Sequence, residues 1–150
     1  GDAAAGIPLS AADRISWGAG VVEVEIDPVT YACVIKGIWL DMDCGRILDT
    51  GTAAMRAEAE VFRALSWCAE RTGPSEDRLK NTILGIPGPR VAVSVKFRGE
   101  GKGASPGGMG ELPMSVIPSA FISAISQATG CYFDTLPVTP EVIASYLEAQ

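Results

Sequence analysis

Histidine is absent from the 150 residues, and that one absence removes whole classes of chemistry. Ser-His-Asp and Cys-His nucleophilic catalysis cannot be assembled within the chain, because both need an imidazole to carry the proton. Histidine-ligated zinc is excluded on the same ground. The four cysteines, Cys33, Cys44, Cys68 and Cys131, show no C-x-x-C spacing, so the chain carries neither a paired-cysteine metal pattern nor an iron-sulfur cluster pattern. Buried thiols are expected rather than a disulfide framework. No apolar run approaches the roughly 20 residues of a membrane-spanning helix, and the small-residue start, Gly1 to Ser10, lacks the basic stretch of a signal peptide. A soluble, cytoplasmic protein without membrane contact is the expectation. Net charge is −6, which gives the chain no electrostatic reason to seek nucleic acid. No G-x-x-x-x-G-K-[ST] phosphate loop occurs either.

Of what is present, 47% is hydrophobic and 20% charged, a balance that suits one globular domain with a sizeable core. Residues 1–20 are mostly small and read as a loose lead-in, which leaves 21–150 for the domain. Val22-Glu23-Val24-Glu25-Ile26 alternates strictly, placing apolar side chains on one face of a strand and glutamates on the other. On a strand's polar face, Glu23 and Glu25 read as solvated charges before they read as an acid-base pair. Asp27-Pro28 opens a turn, and Ala32 to Met42, rich in Val, Ile and Trp, returns as an antiparallel partner. Asp41 and Asp43, at i and i+2, would face one side as oxygen ligands for a hard cation. The other ligands of an EF-type loop are missing, so a polar strand end before Gly45 is the plainer reading.

Residues 52–71 hold no Gly or Pro, and Ala54, Glu58, Val61, Phe62, Leu65, Cys68 and Ala69 fall on one helical stripe with Glu58 at its solvent edge. Thr72 to Asp77 ends that helix in a polar loop. An apolar patch at Ile83 to Ile86, a Pro87-Gly88-Pro89 turn and the alternating strand Val91 to Phe97 follow, with the valines and Phe97 on one face. The glycine-rich loop Arg98 to Gly108 then delivers Gly108-Met109-Gly110-Glu111 to the mouth of an apolar helix running from Met114 to Thr129. Ile117-Pro118 suits the start of that helix, Phe121, Ile122, Ile125 and Ala128 its buried face, and Gly130 its stop. Thr139-Pro140-Glu141 caps and opens a short last helix, held by Val142, Ile143, Tyr146 and Leu147. The fold class expected is α+β, a strand-rich half with two or three packed helices.

Taken together, these pieces resemble a known family. Gly108-Met109-Gly110-Glu111-Leu112-Pro113, the apolar helix, Ala128-Thr129-Gly130 and Leu136-Pro137-Val138-Thr139-Pro140-Glu141 resemble the C-terminal part of the large subunit of molybdenum hydroxylases. That is the xanthine dehydrogenase and aldehyde oxidase family. Val22 to Asp27, Asp43-Cys44-Gly45-Arg46 and the helix ending Leu65-Ser66-Trp67 come upstream in the order the family shows, and the resemblance covers about Trp17 to Ile143.

The resemblance implies part of a molybdopterin-binding domain, from a C-terminal fragment or small subunit of an oxidoreductase that is not active alone. It implies a molybdenum-pterin cofactor shared with other chains, with iron-sulfur and FAD centres only on partner subunits. The substrate would be a small heterocycle or an aldehyde. Glu111 would be the catalytic base, Gly108, Met109 and Gly110 would pack against the cofactor, and no metal ligand would come from this chain. The chain departs from the pattern at Gly107, where the family has lysine, and at Leu112, where it has the first of two prolines. In the 52–71 helix Ala59 and Glu60 replace paired glycines and Arg63 replaces glutamine, while Tyr31 replaces a turn glycine. Two other readings stand beside this one. The chain would be a non-catalytic scaffold or assembly relative, or a small module binding an anionic ligand through the 98–111 loop and the following helix N-terminus.

Overall fold

The structure, a computed structural model, describes residues 16–68, 82–83, 86–87, 91–98 and 108–149. The expected loops at Thr72 to Asp77 and at 99–107, and the turn at 88–89, lie outside the described residues. The elements in order are β1 (Trp17–Ile26), β2 (Cys33–Asp43), α1 (Thr50–Cys68), β3 (Thr82–Ile83), β4 (Ile86–Pro87), β5 (Ala92–Arg98), α2 (Leu112–Thr129) and α3 (Pro140–Glu148). The α+β class is as expected. β1 and β2 pair antiparallel, β5 joins the far side of β2 in parallel, and β3 and β4 form a separate two-residue ladder.

The β1–β2 hairpin follows from its turn. The Asp27 carboxylate accepts from the backbone N–H of Val29 and Thr30, both at 2.8 Å, which fixes the reversal. Tyr31 sits at φ 57, the left-handed region that glycine occupies without strain, at the position where the family resemblance has glycine. Beyond the turn, Glu23 pairs with Gly37 but Val24 pairs with Ile35, leaving Lys36 as an extra residue on β2. This bulge shifts the side-chain parity of β2. Cys33 and Ile35 point into the core before it, and Ile38, Leu40 and Met42 do so after it. Lys36 is left outside, 2.8 Å from Glu25.

Both long helices cover the inner face of the sheet. α2 lies against β1, and α1 packs beside α2 and against β5. The buried face of α2 repeats every four residues, Pro113, Ile117, Phe121 and Ile125, and that of α1 holds Ala57, Val61, Ala64, Leu65 and Cys68. Two glycines on the inner face of β1 set the distance to α2. A Cβ at Gly18 would come within 3.1 Å of Leu112 and Met42, and one at Gly20 within 2.7 Å of Val116. The helix therefore rests on strand backbone where other residues would hold it off. Val138 N–H donates to the Cys68 carbonyl at 3.1 Å and fastens the tail to the end of α1. α3 is capped by Thr139 as expected, and its Tyr146 ring lies 4.7 Å from Phe133.

Three sequence expectations are corrected. Residues 17–20 are strand rather than lead-in, because the glycines that looked like loop residues are contact points for α2. α2 begins at Leu112 with Pro113 in its first turn, so Pro118 stands inside the helix rather than at its start. Ala128 is exposed, since the apolar repeat ends at Ile125. In α1, Glu58 and Ala54 behave as expected, exposed and half-buried.

Gly20→Ala is expected to destabilise the fold by about 1–3 kcal/mol through overpacking against Val116. Pairing it with Val116→Ala should recover part of that loss, a coupling read from a double-mutant cycle in urea. Additive losses would show that the helix does not rest on Gly20.

Candidate functional site

The four residues singled out by sequence stand together where the chain enters α2. Gly108 is tied back to the start of β1, its carbonyl accepting from Ser16 Oγ at 2.6 Å. Nearby, burial raises the Cys44 thiol pKa, and the Ser16 hydroxyl acts against that rise. Ser16 thus ties the lead to β1 to the head of α2. Met109 is half-buried against the core, and its carbonyl accepts from Leu112 N–H at 3.2 Å. Gly110 takes φ 54, a conformation that costs other L-residues roughly 1–2 kcal/mol, and so turns the chain into the helix.

Glu111 follows as the cap residue of α2, with no side-chain capping hydrogen bond and its carboxylate exposed. It stands at the N-terminal end of the helix. Among the described residues, a Cβ at Gly108 or at Gly110 would meet nothing within 4 Å. Only Gly110 needs glycine for its own backbone. At Gly108 the missing side chain leaves backbone that no described residue covers.

Asp41, Asp43 and Asp49 have structural work. Arg98 grips Asp41 through Nε and Nη2 at 2.6 to 2.8 Å, locking β5 to β2 and holding the Asp41 carboxyl below its ordinary value of 3.8. Asp43 accepts from Gly45 N–H at 3.0 Å. The pair therefore marks a strand end, and among the described residues no group of three or more Cys, Asp or Glu is placed to hold a metal ion. Glu23 and Glu25 are exposed on the outer face of the sheet. Asp49 opens α1 by accepting from Gly51 and Thr52 N–H, and the Thr52 bond first of all lowers its pKa. Cys33, Cys44 and Cys68 are buried free thiols, with Cys33 and Cys68 pushed up to about 12 by burial. They are protonated and unreactive at neutral pH.

The departures on α1 lie away from its buried face. Ala59 is exposed, and Glu60 is half-buried beside Arg63 at 3.3 Å. Sequence reasoning missed Ser16, whose hydroxyl carries no motif of its own, and missed the close-packing role of Gly18 and Gly20. What the site offers chemically is one exposed carboxylate able to accept a proton, beside a bare stretch of backbone able to lie against a flat group. Among the described residues nothing stands opposite this backbone, so the head of α2 is an open surface.

No protein-family description matches the chain, and no curated protein does. Among solved structures the chain is similar to quinoline 2-oxidoreductase from Pseudomonas putida 86, with a TM-score of 0.63 and 23% identity over 83% of this chain. It is also similar to the aldehyde oxidoreductase of Desulfovibrio gigas, with a TM-score of 0.68 and 21% identity over 89% of this chain. The aldehyde oxidoreductase of Desulfovibrio desulfuricans aligns with a TM-score of 0.71 and 17% identity over 87%. The chain spans 18% of the first of these chains and 15% of the other two. At these identities the likeness establishes a shared fold with a portion of each oxidoreductase.

Asp27, Asp41, Asp49 and Glu141 all have pKa values lowered by hydrogen bonds made in the fold, to Thr30, Arg98, Thr52 and Thr139 respectively. A depressed folded pKa contributes stability that is present above the unfolded value, 3.8 for Asp and 4.5 for Glu, and is lost as pH falls through the folded one. The melting temperature should therefore stay level from pH 7 to about 5 and fall below about 4. Arg98→Ala should flatten part of that acid limb, and an identical limb in the variant would contradict the assignment. Gly110→Ala is expected to cost about 1–2 kcal/mol from backbone strain alone, measured by urea unfolding.

Proposed function

We propose that the chain is a C-terminal portion or small subunit of a molybdenum-dependent hydroxylase, contributing one wall and one carboxylate to a molybdopterin site completed by other chains. The observation that carries this reading is the head of α2. Bare backbone at Gly108 and an exposed Glu111 stand side by side there, in the motif order that resembles the family and on a fold shared with parts of three oxidoreductases.

In this reading Gly108, Met109 and Gly110 hold the cofactor by backbone contact, because a side chain at 108 would fill the space the cofactor needs. Met109 anchors the loop in the core, and Ser16 fixes its height. Glu111 holds the proton-accepting position toward a small heterocyclic or aldehyde substrate, and the partner chains complete the site around it. The molybdenum-pterin group, when bound, supplies the oxidative chemistry itself. Iron-sulfur and flavin centres that carry electrons onward belong to partner subunits.

A second reading is favoured by α1, where an ion-paired Glu60 and Arg63 stand at positions that the resemblance assigns to a glycine and a glutamine. There the chain keeps the fold as a non-catalytic scaffold for assembly.

Glu111→Gln separates the two. The chain is co-purified with the polypeptides encoded beside it, and hydroxylation of aldehydes and N-heterocycles is followed. The catalytic reading predicts that the variant complex assembles normally and loses about 10²–10⁴-fold in kcat, the usual contribution of a positioned base. Unchanged turnover in an assembled complex overturns it in favour of the scaffold.

A further inference from the structure

Two contacts from one short segment hold the head of α2 at either end. The Ser16 hydroxyl donates to the Gly108 carbonyl at 2.6 Å, a short bond even for an O–H donor. Two residues on, Gly18 lies so close to Leu112 that a Cβ on the glycine would come within 3.1 Å of the leucine side chain. Residues i and i+2 of an extended strand share a face, so one side of the start of β1 meets both Gly108 and Leu112. Met109, Gly110 and Glu111 are spanned between those two points.

The spanned stretch is one that needs holding. Glycine leaves the backbone more freedom than any other residue, and neither Gly108 nor Gly110 has a side chain by which to be fixed. Met109 packs inward against the core. Glu111 has no side-chain capping hydrogen bond, so the path of its backbone decides where its carboxylate stands. That path is set by the left-handed turn at Gly110, by the Leu112 N–H donating to the Met109 carbonyl at 3.2 Å, and by the two points held from β1. Of these, the Ser16 bond is the one that acts on Gly108.

We infer that Ser16 is a positioning residue for Glu111: its hydroxyl fixes the Gly108 peptide and, through the residues that follow, sets the placement of the carboxylate. It touches neither substrate nor cofactor. The inference rests on the proposed catalytic role of Glu111 and adds to it a residue from a distant segment that no motif marks. A base is sensitive to such support, because misplacement by about 1 Å costs on the order of 100-fold in rate. Gly18 holds the far end of the stretch by a separate contact, so loss of the hydroxyl loosens Gly108 to Glu111 and leaves the helix seated. A merely structural tie would instead lower stability and leave the kinetics of the folded enzyme unchanged.

Ser16→Ala and Ser16→Thr test it, the second keeping the hydroxyl on a β-branched residue that suits extended backbone. In the full chain by itself, amide hydrogen exchange at residues 109–112 should quicken in Ser16→Ala, while the Ile143 N–H, bonded to Thr139 in α3, stays as it was. In the complex with the polypeptides encoded beside it, Ser16→Ala should lose about 10- to 100-fold in kcat at unchanged KM, the mark of an effect confined to the transition state. Ser16→Thr should regain most of that loss. Added to Glu111→Gln, Ser16→Ala should cost nothing more, since both act through one carboxylate. Unchanged kcat in Ser16→Ala beside an impaired Glu111→Gln overturns the positioning role and leaves the catalytic reading standing. Fully additive losses overturn it too, as does exchange at 109–112 that ignores the alanine, or a threonine variant as impaired as the alanine one. Unchanged turnover in Glu111→Gln is the separate failure of the catalytic reading, and the positioning role falls with it.

Discussion

The close seating of α2 on the glycine-bearing half of β1 is the contact on which the remaining structure depends. A helix normally stands about 10 Å from a sheet because side chains separate them. At Gly18 and Gly20 that spacer is absent, and Leu112 and Val116 come down onto the strand. The buried row Pro113, Ile117, Phe121 and Ile125 is then aligned along the hairpin, and α1 can close the other half of the face over β5. The same seating decides where α2 begins. Leu112 against Gly18 fixes the first turn, and Ser16 to Gly108 fixes the segment before it. The position of Glu111 is thus a consequence of two glycines almost a hundred residues earlier.

Much of this was legible in the sequence, and what was not has identifiable physical causes. Alternation in Val22 to Ile26 and Val91 to Phe97 announced the strand faces, and the Asp27-Pro28 turn announced the hairpin. Thr139-Pro140-Glu141 and Gly130 marked helix ends because capping is local chemistry. The extent of β1 was hidden, since a glycine that allows close helix contact looks the same in sequence as one that loosens a loop. The start of α2 was hidden because two prolines, Pro113 and Pro118, competed for the first turn, and the apolar repeat favoured the earlier one. Parallel pairing of β5 with β2 is a long-range choice that neither strand encodes alone. Ala57 and Ala64 are fully buried, yet small residues on α1 gave no sign of which side faced the core.

The site divides in the same way. Gly108, Met109, Gly110 and Glu111 were found through a motif resemblance, and their adjacency is trivial because they are consecutive. What the fold adds is their setting: Met109 held inward, Gly110 in a left-handed turn, Gly108 bare, Glu111 outward. It also places the Glu60–Arg63 pair away from the buried face of α1, so the departures there leave the core of this chain untouched. Among the described residues, the outer face of the sheet keeps Trp17, Val21 and Trp39 substantially exposed.

The central claim is that the head of α2 is one wall of a cofactor site. A cryo-electron microscopy structure of the chain assembled with the polypeptides encoded beside it tests this most directly. The account predicts a pterin group in van der Waals contact with the backbone of Gly108 to Gly110 and the Glu111 carboxylate turned toward the metal. A complex in which that surface is covered by protein side chains, or faces bulk solvent, would contradict it.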